Sequence, residues 1–123
     1  MNKLFHTVLA LGLMISVPAF AETAAGPMTI KGTIICNKCM GKPAAVENLA
    51  AFVKDHPKEC MLHAGCAASG YSLYTGTKTE KFNKDSEAQI KDFLGKADSK
   101  TTVEVTATET KDELVLASIK NQS

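Results

Sequence analysis

The chain has 123 residues, which makes a single domain the expectation. Its 14 cations are all lysine and face 13 carboxylates for a net charge of +1, which makes it a poor candidate for a nucleic-acid binder, and with no Trp and two Tyr stacking platforms are scarce as well. A hydrophobic fraction of 45% excludes a mainly disordered chain.

Residues 1–21 have the pattern of a secretory signal peptide. Lys3 is a short positive start, residues 8–17 (VLALGLMISV) an apolar stretch, and Ala19-Phe20-Ala21 a small-x-small cleavage site. The apolar run is shorter than the ~20 residues a membrane helix requires, so no stable membrane insertion is expected after cleavage. The predicted location is periplasmic or secreted. Residues 22–27 (ETAAGP) form a flexible lead-in, and 28–123 a single globular domain.

Residues 28–35 (MTIKGTII) alternate apolar and polar side chains, the period of a half-buried strand, with Gly32 marking a bend or bulge. Cys36-Asn37-Lys38-Cys39 ends that strand, and Pro43 suits a first helical turn. Within 44–55, Val46, Leu49, Ala50 and Val53 share one helical face, and His56-Pro57 stops the helix. A short helix is predicted over 58–64, closed by Gly65. Residues 71–75 and 79–82 form a hairpin around Gly76-Thr77, with Tyr71 and Tyr74 on opposite faces. Ser86 and Gln89 fit a capping box, followed by Ile90, Phe93, Leu94 and Ala97 on a second amphipathic helix. Residues 103–108 and 114–119 close the chain as a hairpin around Thr110-Lys111-Asp112.

The predicted fold is α+β and mostly β: a small five-stranded, partly closed OB-like barrel of antiparallel strands, with a Cys/His-rich helical insert and a second helix. An open α+β sandwich is the alternative.

All the chemistry lies between Cys36 and Cys66. This segment holds all four cysteines (Cys36, Cys39, Cys60, Cys66) and two of the three histidines (His56, His63), while His6 leaves with the signal peptide. On a helix, positions 56, 60 and 63 share a face, and Cys36-x-x-Cys39 is a tight knuckle of two thiolates. Thiolates and imidazoles suit Zn²⁺ or Cu⁺ and suit Ca²⁺ or Mg²⁺ poorly. All six are candidate ligands, more than the four of a tetrahedral site. Export keeps a second reading open, because two disulfides in any of three connectivities would staple the insert and do no further chemistry. Redox-active thiols are the third. Haem attachment is disfavoured, since Met40 rather than His follows Cys39.

The runs HPKECMLHAGCAASGYSLY (56–74), KFNKDSEA (81–88) and VEVTATETKDELVLASI (103–119) resemble a group of small exported bacterial proteins of uncharacterised function. The likeness is carried by Cys39, His56, Cys60 and Cys66, with Ser69-Gly70 after them. This chain has Cys36 where such proteins tend to carry an acidic residue, and adds His63. The resemblance implies Cys39, His56, Cys60 and Cys66 as the metal set, with Cys36 and His63 as neighbours or alternates, and it implies no known activity. The expected function is metal binding, carriage or sensing rather than catalysis. Three thiolates and one imidazole would fill a Zn²⁺ shell and leave no position for a substrate.

Overall fold

A computed structural model describes residues 26–123. The predicted signal peptide and most of the lead-in lie outside the described residues. Strand β1 (Met28–Cys36) leads into five short helices: α1 (Asn37–Met40), α2 (Pro43–Glu47), α3 (Leu49–Asp55), α4 (Lys58–Leu62) and α5 (Ala64–Ala68). Strands β2 (Tyr71–Tyr74) and β3 (Thr79–Phe82), helix α6 (Lys84–Leu94), and strands β4 (Thr102–Thr110) and β5 (Glu113–Asn121) complete the small α+β domain.

The strands form one mixed sheet that closes into a ring in the order β1-β2-β3-β5-β4. Two features differ from the expected partly closed, antiparallel arrangement. Each strand has two neighbours, and β3 runs parallel to β5 through Lys81↔Glu113 and Phe82↔Leu114. A tight hairpin forces its strands antiparallel. The helical crossover of α6 places β4 far from β3, so that β5 returns alongside β3 in the same sense.

Gly32 keeps regular register opposite Val103, and the irregularity of the sheet lies instead between Thr106 and Ala107 in the β4–β5 pairing. Its role is close approach. Around residue 33, β1 passes from pairing with β4 to pairing with β2, and a Cβ on Gly32 would sit 2.6 Å from the Tyr74 carbonyl oxygen. The core gathers Ile34 and Cys36 from β1, Tyr71 and Leu73 from β2, Phe82 from β3, Val103, Val105 and Ala107 from β4, and Leu114 and Leu116 from β5. Ile90, Phe93 and Leu94 of α6 join the same cluster, as their spacing predicts. Ala97 lies beyond the helix and is exposed. The cap also differs from the predicted Ser86-x-x-Gln89 box. Asn83 is the N-cap and accepts from the Ser86 N–H, while the buried Ser86 hydroxyl accepts from the Leu116 N–H at 2.8 Å and ties α6 to β5.

The insert is more broken than expected. Asn48 leaves helical geometry at φ −151°, and its side chain accepts from the Ala51 N–H, which ends α2 and starts α3. The predicted apolar face splits accordingly: Val53 and Ala45 are buried, whereas Val46 is 75% exposed. Pro57 holds His56 extended (ψ 118°) and starts a new helix, and α5 runs through Gly65 rather than stopping before it. Three sets of hydrogen bonds fasten these helices to the rest of the domain. The Tyr71 hydroxyl donates to the Met61 carbonyl at 2.8 Å. Lys58 Nζ donates to the Lys96 and Ser99 carbonyls beyond α6, at 3.1 and 2.9 Å. Asn37 donates to the Ser69 carbonyl at 2.9 Å and accepts from the Ser72 hydroxyl at 2.5 Å.

Candidate metal centre

Each cysteine reaches the site from a different element. Cys36 is the last residue of β1 and the N-cap of α1, Cys39 lies within α1, Cys60 within α4 and Cys66 within α5. The turn Cys36-x-x-Cys39 is clamped by the Ser69-Gly70 step that follows Cys66. The Asn37 N–H donates to the Gly70 carbonyl and the Lys38 N–H to the Ser69 hydroxyl, both at 3.0 Å. That hydroxyl donates in turn to the Cys66 carbonyl at 2.7 Å. Gly70 has φ +80°, and a Cβ there would collide with the Glu87 carboxylate, so the clamp requires glycine.

All four thiols are free, and they converge. Cys39 Sγ lies 3.7 Å from Cys66 Sγ and 3.9 Å from Cys60 Sγ. Two groups of donors have their ligand atoms within 4.8 Å of one another: Cys36, Cys39 and Cys66, all buried, and Cys39, His56 and Cys60, of which the last two are half-buried. Cys39 belongs to both. Of the implied set Cys39, His56, Cys60 and Cys66, the first three come together, and Cys66 groups instead with Cys36 and Cys39. His63 is exposed and joins neither group, because Pro57 and the short α4 remove the continuous helix that would have aligned positions 56, 60 and 63. Met61 is fully buried core.

The sulfur spacing fits a shared ion: two thiolates about 2.3 Å from one tetrahedral Zn²⁺ lie about 3.8 Å apart. Two packed thiols reach the same separation, so the histidine is the more telling donor. The His56 ring stacks on Phe52 with centroids 5.0 Å apart, and its buried Nε2 has no hydrogen-bond partner among the described residues. An unpartnered buried nitrogen is costly, and binding a cation would satisfy it.

Burial and, secondarily, the nearby Lys42 ammonium hold His56 below the usual histidine range, so the imidazole is neutral and ligand-competent at neutral pH. Burial pushes the Cys36 and Cys39 thiols up; Cys36 and Cys66 beside Cys39 push it further. Burial also acts to raise Cys66, but hydrogen bonds from Cys36, Cys39 and Cys60 together with the Lys38 ammonium outweigh it and bring that thiol down. Lys38 reaches the site because Gly65 leaves room, its Nζ lying 3.1 Å from where a Cβ would stand. Lys38, Lys42 and the Asn37–Ser69–Gly70 clamp escaped the sequence reading, whose one hint was Ser69-Gly70 directly after Cys66. No family model, curated protein or solved structure matches the chain.

Proposed function

We propose that this protein is an exported module that binds a soft transition-metal ion, Zn²⁺ or Cu⁺, and serves metal carriage or sensing rather than catalysis. Its scaffold is read as an OB-like barrel, and its location as the periplasm or the exterior. Cys39, His56 and Cys60 hold the ion, with Cys66 and Cys36 adjoining. The observation that carries this reading is the convergence of the Cys39 and Cys60 thiols on a neutral histidine whose buried Nε2 has no hydrogen-bond partner among the described residues. Thiolate and imidazole are the donors that soft and borderline ions prefer. Lining the cluster with cysteines also leaves little place for a bound water or substrate, which favours holding an ion over turning one to hydrolysis.

The test is the intact mass of the mature chain, purified from the periplasm under native and then denaturing conditions. The expected result is added mass of one or more ions in the native spectrum, lost on acid denaturation with every thiol hydrogen retained. Cys60→Ser should lower the metal content. No added mass, with two hydrogens missing per cysteine pair, would overturn metal binding and make the cluster a disulfide staple. Thiols that become reactive only after mild reduction would point to redox chemistry.

A further inference from the structure

Resting on that metal-binding reading, we propose that the cluster takes two cuprous ions, with the Cys39 thiolate bridging an inner position formed with Cys36 and Cys66 and an outer position formed with His56 and Cys60. The geometry of the donors leads there. They fall into two sets of three that overlap at Cys39 alone, and neither set extends to a fourth mutually close donor. A structural Zn²⁺ site gathers four ligands about one point. Cu⁺ is a soft, filled-shell ion that three thiolate or imidazole donors satisfy, so two such ions use all five donors with none idle. A thiolate sulfur has lone pairs enough for two metals. Cys39 alone belongs to both sets, its Sγ lying 3.7 Å from that of Cys66 and 3.9 Å from that of Cys60.

Charge favours the same count. Four thiolates with two cuprous ions leave two negative charges in a mostly buried cluster. Two ammonium groups stand next to it: Lys38 in the space above Gly65, beside Cys66, and Lys42 near His56. Neither forms an ion pair with a carboxylate among the described residues, so both charges are available to the cluster. Two Zn²⁺ ions would neutralise the thiolates outright and leave both lysines facing a neutral site. Binding involves no change of oxidation state: each of the four thiols releases its proton to solvent as a sulfur–copper bond forms. The positions differ in access. The inner set is wholly buried and the outer half-buried, so a competing chelator will take the outer ion first.

The test titrates the full-length mature chain, fully reduced and under anaerobic conditions, with Cu⁺ delivered from a soluble chelator. Bound ions are counted by native mass spectrometry, and X-ray absorption is recorded at the copper edge. Two ions per chain with a short copper–copper vector are expected. Cys60→Ser and Cys36→Ser should each hold one ion and lose that vector, and His56→Phe should weaken only the ion that the chelator removes first. One ion per chain at saturation would overturn the dinuclear site while leaving a single metal centre standing. Two ions without a copper–copper vector would overturn the Cys39 bridge. No bound copper in a folded, reduced chain would overturn this proposal and, if Zn²⁺ also fails to bind, the metal reading on which it rests.

Discussion

Replacing His56 by Phe should stabilise the metal-free protein and weaken its hold on metal. The buried Nε2 of His56 has no partner among the described residues, and such a group forgoes hydration without a compensating bond at a cost of about 1–3 kcal/mol. A phenyl ring removes the nitrogen and keeps the stacking on Phe52, a type of pair worth about 0.5–1.5 kcal/mol. The residue as a whole is half-buried, so the lower end of the range applies, and a net gain of about 1 kcal/mol corresponds to a rise of about 4–8 °C in Tm for a domain this size. Metal affinity should move the other way. Removing a ligand should cost more than the roughly 10–100-fold loss that follows removal of a group merely supporting one. The assay is thermal unfolding with chelator and with saturating metal, alongside a competition titration. A variant no more stable than its parent when metal-free, with unchanged affinity, would refute the reasoning and make His56 a packing residue.

Two further substitutions probe the scaffold. Gly32→Ala places a Cβ 2.6 Å from the Tyr74 carbonyl oxygen and 2.9 Å from the Leu73 side chain, where the backbone cannot yield without parting β1 from β2. It should cost about 1–3 kcal/mol, read as a lower midpoint in urea, and an unchanged midpoint would show that the strands separate freely. Tyr71→Phe removes the bond to the Met61 carbonyl and should cost about 1–2 kcal/mol. Burial, reinforced by the charges of Cys36, Cys66 and Glu87, pushes the Tyr71 hydroxyl up to about 12. Because the folded value is the higher one, the stability linked to Tyr71 is complete below about pH 10 and is lost as pH rises toward 12. The variant should lack that alkaline phase in phenolate absorbance and unfolding; an identical alkaline profile would refute the assignment.

The closing strands were legible because period-two alternation is a local signal that this ring preserves, from Val103, Val105 and Ala107 in β4 to Leu114 and Leu116 in β5, whereas Ile34, Ile35 and Cys36 of β1 are all buried. The ring's closure was not legible, since the parallel β3–β5 contact involves only two residue pairs and depends on how α6 carries the chain across. The insert misled in a specific way. Its apolar residues fit a single helix over 44–55, but Asn48 caps a new one within it, and Pro57 then separates His56 from the helix of Cys60. That separation takes His63 out of the cluster. The gathering of every Cys and His beyond the predicted signal peptide into one segment was plain in the sequence. Their division around Cys39 was not, because it depends on the relative placement of five helices of no more than seven residues each.

Helices that short do not hold themselves in water, so the order of the insert comes from what it is fastened to. The fastening is uneven. Cys36 ends a ring strand, and Cys39 and Cys66 are bound into the clamp that Asn37, Ser69 and Gly70 form against β2. These three thiols are therefore preorganised by the ring itself. His56 and Cys60 stand at the junction of α3 and α4, which is tied to the ring through the Met61 carbonyl and, through Lys58, to the loop between α6 and β4. A metal arriving at the outer donors must supply part of the order that the inner donors already have, and that part of its binding energy becomes folding energy. On the two-position proposal, tighter holding at the inner thiols and readier exchange at the outer pair are expected from one structural fact, the distance in the chain of each donor from a strand of the ring. Such a gradient would suit the carriage of an ion proposed above, which requires that the ion be released as well as held.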